Sequence, residues 1–488
     1  MKIPTLKTPS PVKDGYQKAS SSIKSGVAAL SKQSKRLGGR RLCVGVTGLS
    51  QSGKSTFITS LVNQLSNYDR ASLPGFAPAL TDKLLGVTMR SLEDRGLKLF
   101  PYEQAYQCLT DNPPRWPPST EDLSGCLLEL RLKQSTSKLN PFSNDQYSLF
   151  VEIRDYPGEW LLDLPLREMD YSRWCAQCNA QYTQEPRKGL LGDWINVLQD
   201  LDPLDTVDES SLVAITNRFK QFLRDCKYKD GSLSQIQPGR FLIPGDVKDA
   251  DILCFVPLLK CSRYTEGQLS AASDNSYFKV CEKRYKRYVK ELVNPFYNNF
   301  IKKVDRQVVL VDVVNTLYAG PEYVDDMRQA LTNITDSFSF GRQNRMTQMV
   351  SSKVDKVIFA ATKIDQVVSE DHGAVRDLLA LIVRQAYRNA QHQGVEPICE
   401  ATAAARSSNE ISNGSDKYLD GYLLDGSRKG YEHPSIPNRI PEGDQWDKFL
   451  SWDSPALAPP YGLSSKNQDA LPHIRMDTIL NLLIGDKC

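Results

Sequence analysis

The chain has 488 residues, a formal net charge of +3, 40% hydrophobic and 24% charged residues, which at ~150 residues per domain amounts to about three domain-equivalents. That is enough apolar material to bury a core, which excludes an intrinsically disordered chain. The near-neutral charge speaks against a nucleic-acid-coating protein, so no specific nucleic acid is expected as a partner.

Residues 1–41 carry ten Lys and Arg against the single acid Asp14, a local charge of +9. Rich in Ser and Gly and ending near Gly38-Gly39, they read as a flexible basic leader, suited to peripheral contact with an anionic membrane or another acidic partner. They hold no apolar signal core, so export is not expected. The longest apolar runs, 252–259 and 308–314, have strand length and fall short of the ~18 residues that a membrane span needs. Eleven scattered cysteines in a chain of this size read as reduced thiols in a cytoplasmic protein.

Order is expected from Leu42. Residues 42–47 form an apolar run of strand length. A Gly-rich loop follows, and then Phe57, Ile58, Leu61, Val62 and Leu65 recur at helical spacing. Leu128, Leu130 and Leu132 alternate with Glu129 and Arg131, and Leu149, Val151 and Ile153 alternate with Glu152 and Arg154. Each set predicts a half-buried strand. Asn140-Pro141 and Asn144-Asp145 lie between them as turn signals, so the pair predicts an antiparallel hairpin. Residues 160–305, with helical stretches in parts of 174–223 and over 277–300, predict a mainly helical insertion. VVLVDVV at 308–314 and VIFAAT at 357–362 are β-branched runs that suit parallel strands covered on both faces. A helix over 375–391 and a strand over 395–401 follow. NPPRWPP at 112–118 reads as a stiff packed loop. Beyond residue 411 come a hairpin signal at 418–423, a Pro- and aromatic-rich stretch and a short helix through 478–483 stopped at Gly485. The fold class is α/β with a mostly parallel core sheet. The expected divisions are a leader 1–41, a first core part 42–159, an insertion 160–305, a second core part 306–410 and a C-terminal extension 411–488 packing on the core.

Three segments carry chemistry. GLSQSGKS at 48–55 matches G-x-x-x-x-G-K-[ST] between a predicted strand and a predicted helix, the context a P-loop requires. Gly48 and Gly53 allow close wrapping, so that the backbone from Ser50 through Gln51, Ser52 and Gly53 to Thr56 can point amides at phosphate oxygens. Lys54 supplies a charge to the β- and γ-phosphates, and the Ser55 hydroxyl can ligate Mg²⁺. Asp155-Tyr-Pro-Gly158 ends the second hairpin strand: Asp155 can hold the Mg²⁺ shell, and Gly158 can offer its N–H to a γ-phosphate. The next residue is Glu159, where many GTPases place a Gln that orients the attacking water. A carboxylate there is repelled by phosphate, which predicts slow hydrolysis, with Arg240 as the arginine to test as a charge donor from within the chain. Thr362-Lys363-Ile364-Asp365 matches [NT]-K-x-D at a strand end. The Asp365 carboxylate can accept from the two donors of a guanine edge, and the Lys363 stem can cover the base. Thr402-Ala403, after the last strand, is the candidate for a backbone contact to the guanine carbonyl oxygen. For a threonine that senses Mg²⁺ and γ-phosphate the alternatives are Thr81, Thr88 or neither of them.

The reading is a Mg²⁺-dependent GTP/GDP-binding P-loop GTPase. The alternatives are a GTP-gated protein-binding module with little turnover and a small-molecule P-loop kinase. Asp365 argues against the kinase, since guanine selectivity serves little purpose there. Cys175 and Cys178 form a lone C-x-x-C without a second pair, and His372, His392, His433 and His473 show no ligand spacing.

GLSQSGKS at 48–55, EIRDYPGEWLLDLP at 152–165, IQPGRFLIPGD at 236–246, DRQVVLVDV at 305–313, FAATKID at 359–365 and LPHIR at 471–475 together resemble the YcjX-like family of stress-associated P-loop GTPases, from about residue 42 to the end. The resemblance implies a cytoplasmic GTP/GDP-binding protein with a TRAFAC-like GTPase core. It also implies a role in bacterial stress beside an unidentified, membrane-associated protein partner at the inner membrane.

Overall fold

A computed structural model describes residues 41–49, 51–69, 71–92, 96–119, 121–134, 146–229, 232–247, 251–337, 354–414 and 416–488. The basic leader up to residue 40, Ser50 and the turn signals at 140–145 lie outside the described residues.

The first apolar run becomes β1, Arg41–Gly48, buried along nearly its whole length. It is followed by Leu84–Arg90 (β2), Lys98–Leu99 (β3), Ser124–Lys133 (β4), Gln146–Asp155 (β5), Arg306–Val311 (β6), Lys356–Ala361 (β7) and Glu396–Ala401 (β8). These form one sheet in the order β2-β4-β5-β1-β6-β7-β8, with β3 beside β4. From β5 through β8 neighbouring strands run parallel. The predicted hairpin is β4 with β5, antiparallel from Ser124 opposite Asp155 to Lys133 opposite Gln146. The edge strand β2 was not predicted. Leu85, Val87 and Met89 do alternate with Gly86, Thr88 and Arg90, but the run is short, it holds Gly86, and most of it is half-buried or exposed.

Strand alternation builds two apolar layers. Val308, Leu310, Ile358 and Ala360 face one side, where Phe57, Ile58, Leu61, Val62 and Leu65 of the helix Lys54–Ser66 pack. Met476, Ile479, Leu480 and Leu483 of the helix Met476–Ile484 join the same layer. Val309, Val311, Phe359 and Ala361 face the other side, whose apolar layer continues into the segment between β5 and β6. There the long helices are Tyr171–Tyr182, Glu209–Tyr228 and Tyr277–Tyr288. Cys175 and Cys178 are buried among the rings of this layer.

Some boundaries depart from expectation. VVLVDVV is strand only to Val311. Asp312 accepts the Asn315 amide at 3.2 Å and so caps a helix over Val313–Ala319, because an aspartate inside an apolar run satisfies a helix start better than a buried ladder. The apolar run 252–259 holds a short 3₁₀ turn, Asp251–Leu253, and no strand; its side chains fill a helical layer that offers no strand to pair with. The predicted helix over 375–391 is two, His372–Ile382 and Arg384–His392. The C-terminal hairpin signal becomes a three-stranded antiparallel sheet of Ser408–Asn413 (β9), Asp416–Tyr422 (β10) and Arg428–Tyr431 (β11). Gly485 does not stop its helix in a left-handed turn, having φ −59° and ψ −35°. Instead buried Arg306 donates to the Leu483 carbonyl at 2.5 Å and forks onto the Asp486 carboxylate with both contacts at 2.5 Å, which supplies the partners a helix C-terminus lacks. No helix among the described residues is long and apolar enough to cross a membrane.

Candidate functional site

The C-terminal ends of β1, β5, β6 and β7 open onto one cleft of about 960 Å³. This is where loops leaving a parallel sheet can surround a ligand without unpaired strand backbone. At one end, β1 turns at Gly48 into the loop. Leu49 N–H donates to the Leu310 carbonyl at 3.3 Å and Ser52 N–H to the Leu49 carbonyl at 3.2 Å. Gln51 and Gly53 take positive φ, 57° and 78°, and Gly53 leads directly into the helix at Lys54. A Cβ on Gly48 would lie 1.9 Å from Ser52 Oγ, so the loop closes tightly only on a glycine. The result is a helix N-terminus behind a wrapped backbone, a cradle that favours an anion.

Around that cradle, the Lys54 ammonium contacts the Asp155 carboxylate, which also accepts from Ser124 Oγ at 3.2 Å and is 1% exposed. Ser55 Oγ donates to the Pro118 carbonyl at 3.0 Å. Gly158 is pressed against the cradle: a Cβ there would fall 2.0 Å from the Gly48 carbonyl oxygen. Thr56 follows at the cleft wall. A hard-oxygen donor set (the Ser55 hydroxyl and the Asp155 carboxylate) beside a phosphate-sized cradle fits Mg²⁺ with a nucleotide phosphate.

The other end is built by β7 and β8. Lys363 takes φ 58°, and its ammonium donates to Asp312 Oδ2 at 2.7 Å. Asp365 Oδ2 accepts the Ser407 amide at 2.8 Å, and the Asp365 carbonyl accepts from Ser408 Oγ. Burial pushes the Asp365 carboxyl above its ordinary value, although the Ser407 amide and Lys363 oppose this. Thr402 and Ala403 do not line the cleft. Thr402 Oγ1 donates to the Ile474 carbonyl at 2.8 Å, and the Ala403 amide donates to the same carbonyl at 3.0 Å. Ala404, Ala405 and Ser407 stand at the cleft wall instead.

Neither threonine candidate reaches the site. Thr81 Oγ1 donates to the Ala77 carbonyl at the end of a one-turn helix, and Thr88 lies on edge strand β2 opposite Glu129. The chain that faces the cradle is the stretch just before β4, with Trp116, Pro117, Ser119, Glu121 and Asp122 on the cleft; Thr120 lies outside the described residues. Its signal was positional: it enters the strand paired with the strand that carries Asp155. Arg240 is not on the cleft. Its guanidinium stacks 3.3 Å from the centroid of the Trp160 ring, while its neighbours Leu242, Ile243 and Pro244 line the wall.

Two further groups carried no motif. Lys227, at the end of the helix Glu209–Tyr228, contacts the Glu159 carboxylate, with side chains 9% and 12% exposed. Burial alone would lower the Lys227 pKa; attraction to Glu159 outweighs it and holds it above the ordinary lysine value. A strap of Ser454, Pro455, Ala456 and Leu457 crosses the cleft edge with Leu424.

Residues 42–488 match the model of the YcjX-like family, DUF463. The chain is 37% identical over 454 residues to the Ras-like GTPase YcjX of Escherichia coli (strain K12), covering 92% of this chain and 96% of that protein. It is 33% identical over 466 residues to the Ras-like GTPase YcjX of Shewanella oneidensis, covering 93% and 96%. Among solved structures, the signal recognition particle receptor SRb-GTP/SRX complex from Chaetomium thermophilum aligns with 12% identity and a TM-score of 0.28, over 76% of this chain and 95% of that one.

Proposed function

We propose that this chain, which belongs to the YcjX-like family, is a Mg²⁺-dependent P-loop GTPase with slow intrinsic hydrolysis that acts as a nucleotide-dependent switch. The observation that carries the reading is the union of Lys54, Ser55 and Gly158 with Lys363 and Asp365 on one cleft. A phosphate cradle alone suits many nucleotides; a buried carboxylate at its far end, held by the Ser407 amide, selects a base edge with two donors.

Lys54 leaves Asp155 for the phosphates when an anion enters the cradle, because a phosphate carries more charge than a carboxylate. Ser55 and Asp155 are the residues that would hold Mg²⁺, and the ion would supply charge neutralisation to the phosphates. Gly158 offers its N–H where no side chain fits. Lys363 covers the base while anchored to Asp312. Slow turnover follows from Glu159, a carboxylate beside the γ-phosphate end that is already paired with Lys227. The switch role, a bacterial stress response and a membrane-associated partner come from the family resemblance, and peripheral membrane contact from the leader's charge.

Titration with GTP, ATP and XTP tests the central claim. Wild-type protein should prefer GTP over ATP by at least about 100-fold, since a pair of lost charge-assisted bonds is worth about 3 kcal/mol or more. Asp365→Asn should move the preference toward XTP, because its amide can donate to the xanthine carbonyl. Unchanged GTP affinity in that variant would remove Asp365 from the base site.

A further inference from the structure

The helix Glu209–Tyr228 packs Leu212, Phe219, Phe222, Leu223 and Cys226 into the aromatic layer between β5 and β6. The next residue, Lys227, departs from that apolar face and extends to the cleft. A lysine this buried needs a charge partner, and it finds Glu159, the residue after the glycine pressed on the P-loop carbonyl. Its backbone is pinned: the Lys227 carbonyl accepts from Ser232 Oγ at 2.6 Å, and the Leu233 amide donates to the Cys226 carbonyl at 2.8 Å. The Tyr228 ring lies 5.1 Å from its ammonium. From the other side, Gly239 backs the Glu159 carbonyl so closely that a Cβ would come within 2.0 Å of it. The insertion therefore grips both members of the pair and fixes a cation at the phosphate end of the cleft.

We infer that Lys227 is the transition-state cation of this GTPase, supplied by the chain's own insertion and held by Glu159 until a γ-phosphate competes for it. The inference rests on the GTPase reading above. In the reaction, a water oxygen bonds to the γ-phosphorus as the bond from that phosphorus to the β-phosphate oxygen breaks. The bonding pair leaves on the β-phosphate. One water proton remains on the released phosphate and the other is lost to solvent. Lys227 keeps its protons throughout and faces the charge that gathers on the transferring oxygens. Turnover is slow because Lys227 must first leave Glu159, and a change that freed it would accelerate the enzyme.

The full chain is tested as wild type, Lys227→Met, Lys227→Arg, Glu159→Gln and the Glu159→Gln/Lys227→Met double variant. The readouts are fluorescent-GDP affinity, single-turnover GTP hydrolysis and capture of aluminium fluoride with GDP. Lys227→Met should keep GDP affinity within about threefold, which also reports that it folds. It should lose about 100-fold or more in hydrolysis, as for removal of one transition-state donor, and fail to capture aluminium fluoride. Lys227→Arg should recover part of both, and Glu159→Gln should hydrolyse a few-fold faster than wild type. The double variant should stay as slow as Lys227→Met. Recovery of wild-type rate in the double variant would reduce Lys227 to a neutraliser of Glu159 and overturn the inference, as would Lys227→Met hydrolysing at half the wild-type rate or better. Wild-type protein that fails to bind or hydrolyse GTP at all would bring down the GTPase reading and this inference together.

Discussion

Asp163, five residues after Gly158, ties the start of the segment between β5 and β6 to two later parts of that segment through one carboxylate. It accepts from the Gly239 amide at 2.8 Å, the Arg240 amide at 3.3 Å and the Tyr288 hydroxyl at 2.5 Å. Burial pushes its pKa up to about 6, more than those three hydrogen bonds lower it. An acid whose folded pKa lies above its unfolded value near 3.8 binds more protons when folded. Its contribution is therefore fully present below about pH 4 and lost as the pH rises through about 6. At neutral pH the ionised form gives up roughly 3 kcal/mol relative to pH 4, from about two pKa units. Denaturant titrations of wild type and Asp163→Asn should diverge in slope between pH 4 and 6.5, with the wild type alone losing this part of its stability as pH rises. Parallel pH profiles would show that Asp163 titrates as it does in the unfolded chain.

Among the elements, the cleft edge is closed by a contact between segments far apart in sequence. Trp116 Nε1 donates to the Leu457 carbonyl at 2.9 Å across 341 residues, while Leu424 N–H donates to the Ala456 carbonyl and Ala458 N–H to that of Tyr422. The strap is thereby a continuation of β10's tip, and Trp116 fastens the segment before β4 to it. Trp116→Phe keeps an aromatic ring, though a smaller one, and removes the donor, so bound fluorescent GDP should dissociate several-fold faster with little change in melting temperature; an unchanged off-rate would leave the strap without a part in nucleotide retention. None of this was readable in advance. The strands β1, β4, β5, β6 and β7 were, because each either alternates or is apolar throughout. So were the loops at 48–55, 155–158 and 362–365, whose chemistry sits in contiguous residues. The Trp116–Leu457 bond, the Lys227–Glu159 pair and the place of Ala404 and Ala405 depend on how separate segments meet, and no local spacing records that. Asp312 is the intermediate case: its helix-capping preference was visible, but the β-branched residues on both sides of it pointed to strand.

For the molecule as a whole, the cleft exists only when the first and second sheet halves, the insertion and the C-terminal segment are assembled. The C-terminal helix secures this from below, with Leu480 and Leu483 packed in the layer that holds Phe57 and Leu61 of the P-loop helix. Leu480 is 1% exposed, so Leu480→Ala should remove about 2–5 kcal/mol through lost burial and a residual cavity. It makes none of the cleft contacts, so the native form of the variant should bind GDP as wild type does. A ligand that binds only the native state adds about 2.7 kcal/mol at 100 times its Kd, comparable to the loss. Melting curves with saturating GDP and Mg²⁺ should therefore return Leu480→Ala most of the way to the ligand-free wild-type midpoint. ADP at the same concentration should not, as the base contact proposed for Asp365 requires. Equal rescue by ADP would place the binding energy in the phosphate cradle alone. No rescue by either, with wild-type GDP affinity intact, would mean that the C-terminal helix unfolds separately from the cleft it underlies.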